Sequence, residues 1–512
     1  MKKIAIIGAG EAAIPYILAA KRKKVYSICF GNAKDSLYKD DCDEFVDISI
    51  YDIDAIVAAC RERCVNGIIA SSENTTIVAA EIANKLNLIG NSLKGGYTWK
   101  NKYLMRKKVS ECMNVKQPEF AIYTENESYN YPVVVKAVDS CGKRGITLVK
   151  KQEDLLDAVK YAEEYSTTGE VLVEEYLEGG KEYSVECMSY NGIHQIIQVT
   201  EKDSSGPPHF LELGHHQPAD LSDDLLEKMK SAVCEILDVL HISTGPAHLE
   251  AKIIDGEVYF IEVGARAAGD HIADTLLGLS TEYDYFGNAI MIAIGDYKPC
   301  EAKTIGYSGI YFLCEQSKKI FPLFHVAKNA DWCKEYHLKN ASLKDITING
   351  DNDLSGHIVY SSSKKISLQD AVVRINDYPN AFELLYSHSK EIGRTLPDDE
   401  LRTGLKKWID FGNVLAMIVE NRIVAMLNVY CNDETTKNGY INNVYVMPEY
   451  RGFKYALELV KSAISLCRSN NFKSISLHVA EDNLPAVSTY LKVGFVFTDN
   501  YHDDTREMKL MI

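Results

Sequence analysis

The chain has 512 residues, and at roughly 150 residues per domain its length predicts about three domains, each long enough to bury a core. Its formal net charge of −16 disfavours nucleic acid and anionic membranes as partners, because both require a basic face. The 13 Cys are scattered without metal-binding spacing, and no apolar stretch approaches about 18 residues, so we expect a cytoplasmic protein with free thiols.

The chain begins with a βαβ pattern. Ile4–Ile7 predicts a short apolar strand, Gly8 and Gly10 follow it, and Val25–Cys29 predicts a second strand after a helix. In a dinucleotide site an acid would end the second strand and hold the ribose, but Phe30–Ala33 stands there. We therefore prefer close strand-to-helix packing as the reason for the glycines, with an NAD oxidoreductase as an alternative.

A further strand, Val65–Ala70, and a helix from about Thr75 to Leu86 complete a small doubly wound domain that ends near Asn91. From about Tyr97 to Tyr378 the pattern changes to hairpins with fewer helices, which indicates an α+β body. Within this body, residues 222–240 predict an amphipathic helix that begins with a Ser N-cap.

A cationic hairpin containing glycine lies early in this body. Tyr131–Lys136 predicts a strand that ends in Lys, residues 139–145 carry two Gly, a Ser and two cations, and Ile146–Val149 predicts the second strand. The N–H groups of such a loop can fold over phosphate oxygens, and an ordinary basic surface turn is the alternative. Val171–Leu177 predicts another strand, whose end could present backbone groups to a purine, with Glu182 near a ribose hydroxyl.

Two acids provide the clearest sign of chemistry. Glu250 and Glu262 lie on the predicted strands Ala247–Ile254 and Val258–Val263, which we expect to be joined by a three-residue loop, Asp255–Glu257. This loop places the acids directly opposite each other, whereas a two-residue turn would put them on opposite faces. The expected apolar face comprises Leu249, Ala251, Ile253, Tyr259, Ile261 and Val263. Facing carboxylates repel, so we predict a divalent ion between them, with two solvated acids as the alternative.

Together these motifs resemble the ATP-grasp ligases over residues 1 to about 375. The resemblance implies that ATP is clamped between two α+β lobes that follow an N-terminal Rossmann-like lobe. It implies a set of nucleotide-binding residues: Lys102 and Lys136 for the α and β phosphates; Ser140, Gly142, Lys143 and Gly145 for the cover of the triphosphate; Glu174, Glu175 and Leu177 for the adenine hinge; and Glu182 for the ribose. It also implies that Glu250 and Glu262 bind Mg²⁺ or Mn²⁺ and that Arg266 grips the acyl phosphate or the carboxylate.

Two positions depart from the family pattern. Gly264 stands where many members have a metal-binding Asn, which leaves two Glu, phosphate oxygens and water for Mg²⁺. Lys143 adds charge to a loop that is usually rich in Ser. The segments 211–216 and 264–272 are similar to the amino-acid and dipeptide ligase branch. In the first of them, His215 and His216 either contact the substrate carboxylate or belong to a polar loop.

A break at residues 377–380 precedes a separate unit. Its pattern predicts helices over 381–410, strands at 414–419, 423–430 and 440–446, a helix to about 468, and two further strands. Residues 439–456 read as a strand, a turn and a helix start, where exposed N–H groups favour an anion. With the downstream Asn483, Ala486, Tyr490 and Gly494-Phe495, this pattern resembles the GNAT superfamily of N-acyltransferases over residues 380–512.

The second resemblance implies an acetyl-CoA site: Val444 and Val446 for the pantetheine arm; Arg451, Gly452, Lys454 and Ala456 for the pyrophosphate; and Asn483 for positioning. Tyr490 would protonate the leaving thiolate, or it would only pack in the core. Lys454 replaces the inner Gly of the Arg-x-x-Gly-x-Ala signature, and it either assists the pyrophosphate or clashes with it. Asn442 and Asn443 stand where relatives often carry an acid, so the general base is unassigned.

The sequence thus predicts a multidomain α/β and α+β protein with a Rossmann-like domain at 1–95, an ATP-grasp domain at 96–377 and a GNAT domain at 380–512. We expect an ATP-dependent ligase that joins a carboxylate, with an amino acid as the expected class, to an amine through an acylphosphate, fused to an acetyl-CoA-dependent N-acetyltransferase. The alternative is a regulatory protein in which one module senses a nucleotide or acyl-CoA without turnover. The expected partners are small molecules, and a homo-oligomer is compatible with the sequence.

Overall fold

The structure, a computed structural model, describes residues 1–125, 127–140, 142, 144–207, 210–339, 346 and 354–512. The chain divides into two compact units, residues 1–310 with 361–364 and residues 311–360 with 365–512. Among the described residues, no helix combines the length and the apolar character that crossing a membrane requires. The division into three domains stays a prediction.

The helices and strands up to residue 313 are β1 (Lys3–Ile7), α1 (Ile14–Lys23), β2 (Tyr26–Gly31), β3 (Glu44–Asp47), α2 (Ile53–Glu62), β4 (Gly67–Ala70), α3 (Thr76–Leu86), α4 (Leu93–Lys100), α5 (Lys102–Val109), β5 (Phe120–Ile122), β6 (Val133–Ala137), β7 (Ile146–Val149), α6 (Leu155–Glu163), β8 (Val171–Glu175), β9 (Lys181–Tyr190), β10 (Ile193–Ser204), β11 (Glu212–Gln217), α7 (Asp223–Val239), β12 (Gly245–Ile254), β13 (Glu257–Gly264), α8 (Leu277–Ser280), α9 (Tyr285–Ala293) and β14 (Tyr307–Leu313).

The N-terminal sheet is parallel, with the strand order β3-β2-β1-β4. One face of β1 packs on α2 and α3 and the other on α1 and α9, so the predicted doubly wound fold is confirmed, while the end of this domain near Asn91 stays a prediction. The sequence reading omitted β3 and α2. Gly8 has φ +106°, and a Cβ there would lie 2.4 Å from Ser71 Oγ, which supports packing as the reason for this glycine.

The predicted cationic hairpin is confirmed as β6 and β7, which pair antiparallel from Val133↔Val149 to Lys136↔Ile146. They belong to a four-stranded sheet of order β5-β8-β6-β7. Helix α6 covers the apolar side of this sheet, where Val135 and Val173 are buried. The opposite side of β6 is therefore left to carry Lys136.

A larger sheet contains the neighbouring strands β13, β12, β9, β10 and β11. Helix α7 runs along its apolar face, and Ser222 Oγ accepts the Leu225 N–H at its start, as the sequence predicts. The residues packed on that face include Tyr183, Val185, Val199, Leu249 and Ala251. Their neighbours along each strand point to the other face, which is polar.

The turn between β12 and β13 differs from the expected three-residue loop. Ile254 pairs with Glu257, so the loop is the two-residue Asp255-Gly256, with φ +50° and +78°. A bulge at Ile261 then restores the alignment, and Glu250 still faces Glu262. The expected apolar face was right at Val263 but wrong at two other positions of β13, because the two-residue turn buries Val258 and Phe260 instead of Tyr259 and Ile261.

The remaining helices and strands are α10 (Phe321–Ala327), β15 (Cys333–Leu338), β16 (Gly356–Ser362), β17 (Val373–Arg374), α11 (Ala381–Glu391), α12 (Asp398–Phe411), β18 (Asn413–Val419), β19 (Arg422–Tyr430), β20 (Asn438–Val446), α13 (Tyr455–Ser469), β21 (Ser474–Val479), α14 (Leu484–Lys492), β22 (Val496–His502) and β23 (Thr505–Met511). Seven of these strands form one sheet, of order β17-β18-β19-β20-β21-β23-β22. Strands β15 and β16 pair with each other outside that sheet. The end of the chain thus holds three strands and α14, where the sequence reading placed only two strands.

Candidate active sites

The polar face of the large sheet brings together alternate residues of three strands. On β12 these residues are His248, Glu250 and Lys252, and on β9 they are Glu182, Ser184 and Glu186. The two sets pair in register, with Glu250 opposite Ser184 on one side and opposite Glu262 on the other. Lys202 on β10 pairs with Glu182. The face therefore collects acids and cations, with Lys202 and His248 largely buried and Glu250 and Glu262 partly exposed.

Glu250 lies among cations. Lys202 Nζ is 2.5 Å from Glu250 Oε1 and 3.2 Å from Glu212 Oε1, and His248 Nε2 is 3.5 Å from Glu250 Oε1. Burial would raise the pKa of Glu250, but Lys202 and His248 hold it well below its usual range. Glu186, 2.7 Å from His248 Nδ1, raises the pKa of His248 to about 9 against the effect of burial.

Glu262 pairs with the first residue of α5. Lys102 Nζ lies 3.2 Å from Glu262 Oε1 and donates to Ser140 O at 2.6 Å, while Lys102 N donates to Val138 O at 2.7 Å. Burial lowers the pKa of Lys102, but Glu262 and other nearby acids raise it above its usual value. The ammonium group thus joins the predicted triphosphate loop to the predicted metal carboxylate.

The Glu174 carboxylate pairs with two cations, a role that the adenine-hinge prediction did not include. The Glu174 side chain is 3% exposed, and Arg106 Nε and Lys136 Nζ each lie 2.5 Å from its carboxylate. Burial raises the pKa of Glu174, yet the two cations lower it to about 2. The Glu174 carboxylate therefore holds Lys136 in place, and only its backbone is left for a purine.

The other hinge and ribose residues lie near the end of β8. Glu175 is exposed, and its carboxylate accepts the Glu119 N–H at 3.2 Å. The Leu177 carbonyl accepts from Lys252 Nζ at 2.6 Å. Burial raises the pKa of Glu182, which is opposite Lys252 in the sheet.

The triphosphate loop is described in part. Ser140 is described together with Gly142 and Gly145, which have φ +68° and +69°. Lys143 lies outside the described residues. Two left-handed glycines in one short loop favour a compact turn with N–H groups directed to one side.

The two histidines of β11 point to opposite faces of the sheet. His215 pairs with Lys202 and shares the face of Glu250, and burial holds its pKa well below its usual range. His216 pairs with Glu201, and its Nε2 lies 3.1 Å from Asp203 Oδ2. Only His215 therefore lies on the side of the predicted metal ligands, and contact of either histidine with substrate stays a prediction.

Arg266 is held by an acid from the N-terminal lobe. Its Nε donates to Glu73 Oε2 at 2.8 Å, and its Nη1 donates to Ala267 O at 2.8 Å. Sequence reasoning missed Glu73, Arg106, Glu186, Lys202 and His248. The alternation of polar residues at 182, 184 and 186 and at 248, 250 and 252 was a usable signal for part of this set, because it marks a buried polar sheet face.

A metal would have two carboxylate ligands from this chain. Over the described residues, no group of three or more His, Cys, Asp or Glu has a geometry suited to a metal ion. Glu250 and Glu262 are cross-strand partners, and each is already beside a cation. This donor set fits a hard ion that completes its shell with phosphate oxygens and water.

The second unit contains a strand that separates from its neighbour. In the described chain, β20 pairs with β21 from Asn438 to Tyr440 only, while it pairs with β19 as far as Val446. Val444 and Val446 lie on this separated part. Backbone groups that have lost one neighbouring strand can accept an extended ligand.

The turn after β20 has left-handed residues at Gly452, with φ +85°, and at Lys454, with φ +64°. Lys454 is the N-cap of α13, so the helix begins with free N–H groups at residues including Ala456. Arg451 Nε donates a hydrogen bond to Val446 O at 3.3 Å. The left-handed φ explains why a Gly is expected at position 454.

Asn483 and Tyr490 lie at the two ends of α14. Asn483 Oδ1 accepts the Ala486 N–H at 3.4 Å, which makes this side chain the helix N-cap. Tyr490 is 7% exposed beside Phe495, and burial raises its pKa to about 12. Its hydroxyl therefore keeps its proton at neutral pH, as a general acid requires.

Residues 129–274 match the family model of the ATP-grasp domain, and residues 381–495 match that of the acetyltransferase (GNAT) family. The chain therefore contains an ATP-grasp domain followed by a GNAT acetyltransferase domain. It is 28% identical over 169 residues to the uncharacterised protein y4rH of Sinorhizobium fredii, covering 32% of this chain and 34% of that protein.

It is also 27% identical over 290 residues to a formate-dependent phosphoribosylglycinamide formyltransferase of Prochlorococcus marinus, covering 52% of this chain and 70% of that enzyme. The solved L-amino acid ligase of Bacillus licheniformis superposes with a TM-score of 0.59 at 21% identity, over 71% of this chain and 94% of that one. This last likeness defines the fold of the first part of the chain.

Proposed function

We propose that the protein is an ATP-dependent carboxylate-amine ligase joined to an acetyl-CoA-dependent N-acetyltransferase. The observation that carries the ligase assignment is the cross-strand pair Glu250 and Glu262, with Lys102 beside one acid and Lys202 beside the other. Such an arrangement of two partly exposed acids among cations suits a metal-bound triphosphate.

In the proposed reaction, the substrate carboxylate attacks the γ-phosphorus of ATP, giving an acylphosphate and ADP. An amine then attacks the acyl carbon and inorganic phosphate leaves. Lys102 and Lys136 hold phosphate oxygens, and Arg266 offsets the charge that develops on the acyl phosphate. Mg²⁺ held by Glu250 and Glu262 would supply charge neutralisation of the phosphates.

We assign the carboxylate substrate to the amino acids. The fold shared with an L-amino acid ligase supports this class. Cytoplasmic location and a homo-oligomer remain predictions.

ADP release measured over pairs of amino acids, with ATP and Mg²⁺, tests the ligase. We expect release that needs both amino acids and a new amide product of matching mass. ADP release without any amide would contradict the ligase and leave an ATPase. Lys202→Met supplies a second test, because it removes a buried cation beside Glu250 and should also lower turnover.

The acetyltransferase assignment rests on the separated strand β20 followed by the left-handed turn at Lys454. In this site, the N–H groups that begin α13 bind the pyrophosphate and Tyr490 protonates the leaving thiolate. Calorimetric titration of the full chain with acetyl-CoA tests binding, and thiol release with a panel of amines tests turnover. A chain that binds acetyl-CoA yet transfers no acetyl group would favour the sensing alternative, in which Lys454 marks a degenerate module.

A further inference from the structure

Glu73 is an acid that the proposed reaction does not use. It begins a short 3-10 turn between β4 and α3, and its Oε2 accepts from Arg266 Nε at 2.8 Å. The side chains of Glu73 and Arg266 are 19% and 27% exposed, so water screens the pair only in part. Glu73 is also among the acids that raise the pKa of Lys102 against the effect of burial.

The ion pair fills the space beside Gly264. A Cβ at residue 264 would lie 2.7 Å from Glu73 Oε2 and 3.3 Å from Arg266 Cγ. A side chain at this position would therefore displace the carboxylate of Glu73. The glycine that departs from the family pattern and the Glu73–Arg266 pair are two parts of one arrangement.

We propose that Glu73 is a positioning residue that holds Arg266 for the ligase reaction and that Gly264 leaves room for it. This inference rests on the proposed ligase function. An Arg side chain has many rotamers, and here Glu73 fixes Nε while Ala267 O fixes Nη1. Burial lowers the pKa of Arg266, but Glu73 raises it above its usual value, with smaller contributions from Glu250 and Glu262.

The test compares Glu73→Gln, Gly264→Ala and the double variant. We expect each single variant to lower the kcat of ADP release by about 10- to 100-fold, because a misplacement of about 1 Å is enough for such a loss. The affinity for a non-hydrolysed ATP analogue should stay within about twofold. The double variant should be no slower than the slower single variant, because both changes remove the same ion pair.

Glu44→Gln is the matched control. Glu44 pairs with Arg63 at 2.7 Å in the same lobe, with side-chain exposures of 31% and 25%, and its loss should leave kcat unchanged. An unchanged kcat in Glu73→Gln, or losses that multiply in the double variant, would overturn the inference. A wild-type chain without ADP release would refute the ligase instead, and ¹⁵N NMR of the Arg266 Nε–H would then test the pair. If the Arg266 Nε–H is protected from hydrogen exchange equally well in the wild type and in Glu73→Gln, Glu73 does not hold Arg266 and the inference is wrong.

A separate observation concerns two thiols of the second unit. Cys431, directly after β19, and Cys467, on α13, have their Sγ atoms 2.9 Å apart. Cys467 is buried and Cys431 is partly exposed. The Cys467 thiol lowers the pKa of Cys431 by hydrogen bonding to it. A reachable, acidified thiol beside a buried second thiol is the arrangement of a redox-sensitive pair.

We infer that Cys431 reacts with hydroperoxides and that Cys467 resolves the product as a disulfide. The Cys431 thiolate attacks a peroxide oxygen, forming a sulfenic acid and releasing hydroxide or alkoxide, which takes up a proton. The Cys467 sulfur then attacks the sulfenic sulfur, and its proton leaves with the hydroxyl group as water. The two thiols lose two electrons, and the peroxide gains them. The sulfurs need to approach by about 0.9 Å to reach a bond of about 2.05 Å.

Treatment of the full chain with hydrogen peroxide, followed by alkylation, digestion and mass spectrometry, tests this pair. We expect a cross-linked peptide from Cys431 and Cys467, lighter by two hydrogen atoms and reversed by dithiothreitol. In Cys467→Ser, a dimedone adduct should accumulate on Cys431. The exposed Cys64 and Cys300 are controls for general thiol oxidation. If Cys64 and Cys300 oxidise while Cys431 and Cys467 are both recovered as alkylated, unlinked thiols, the inference is wrong. The measurement on the wild-type chain is sufficient for this conclusion.

Discussion

The Glu174→Gln substitution should destabilise the first unit strongly, because Glu174 is the shared partner of two buried cations. Its pKa of about 2, against 4.5 for a free Glu, is a difference of about 2.5 pKa units. At about 1.4 kcal/mol per unit, this corresponds to roughly 3 kcal/mol of stability at neutral pH. The cost of breaking a buried ion pair is of the same order, about 3–5 kcal/mol.

The sign of the pH dependence follows from the lowered pKa. The stabilisation by Glu174 is fully present above pH 4.5, the pKa of a free Glu, and is lost as the pH falls through about 2. The difference in free energy of unfolding between wild type and Glu174→Gln should therefore be constant between about pH 5 and 8 and should shrink below about pH 4.

Urea unfolding followed by tryptophan fluorescence measures the loss, and hydrogen exchange of peptides from β6 and β8 localises it. Glu175→Gln is the matched control, since this neighbouring acid is exposed and should change stability by less than about 0.5 kcal/mol. The reasoning fails if Glu174→Gln is no less stable than Glu175→Gln at neutral pH. It also fails if their difference does not shrink in acid.

Four further variants probe the two sites. Glu262→Gln should lower ADP formation by about 10²- to 10³-fold in a coupled assay while the circular dichroism spectrum stays unchanged, and full turnover would exclude this residue as a metal ligand. Lys136→Ala should weaken ATP binding about tenfold or more in calorimetry, and equal affinity would make this Lys a structural partner of Glu174 only. Lys454→Gly should stabilise the chain by about 0.5–1 kcal/mol in urea unfolding, because relief of a left-handed Lys, about 1–2 kcal/mol, exceeds the added freedom of the unfolded chain; a less stable variant would contradict this. Tyr490→Phe should slow acetyl transfer by about 10²-fold with unchanged acetyl-CoA affinity, and an equal rate would place the acid elsewhere.

The sequence predicted those features that depend on local pattern. The helix at Asp223–Val239, the hairpin of β6 and β7 and the pairing of Glu250 with Glu262 are all confirmed. The predicted pairing of Glu250 with Glu262 is correct, but the predicted three-residue loop is not. The turn has two residues, and the bulge at Ile261 restores the alignment. The alternation of residues along β13 does not reveal this bulge.

The contacts that define the site environment could not be read from the sequence. Arg106 and Glu174 are 68 positions apart, and Glu73 and Arg266 are 193 apart. A buried charge finds its partner only after distant elements pack together, so composition and spacing carry no trace of these pairs. The conformation of Lys454 is a different case, because the expected Gly at that position already indicated a left-handed turn.

Strands β12 and β13 carry core residues on one face and site residues on the other, and this limits which mutations the hairpin can accept. Loss or gain of one residue within β12 would exchange core and site positions along the rest of the strand, so Leu249 and Glu250 would trade places. Substitution is the tolerated route there. Ile261 is the exception, since its removal would leave a regular ladder in which Glu250 still faces Glu262. The hairpin thus has one position at which a deletion is structurally silent, next to residues at which any deletion would disrupt both the core and the site.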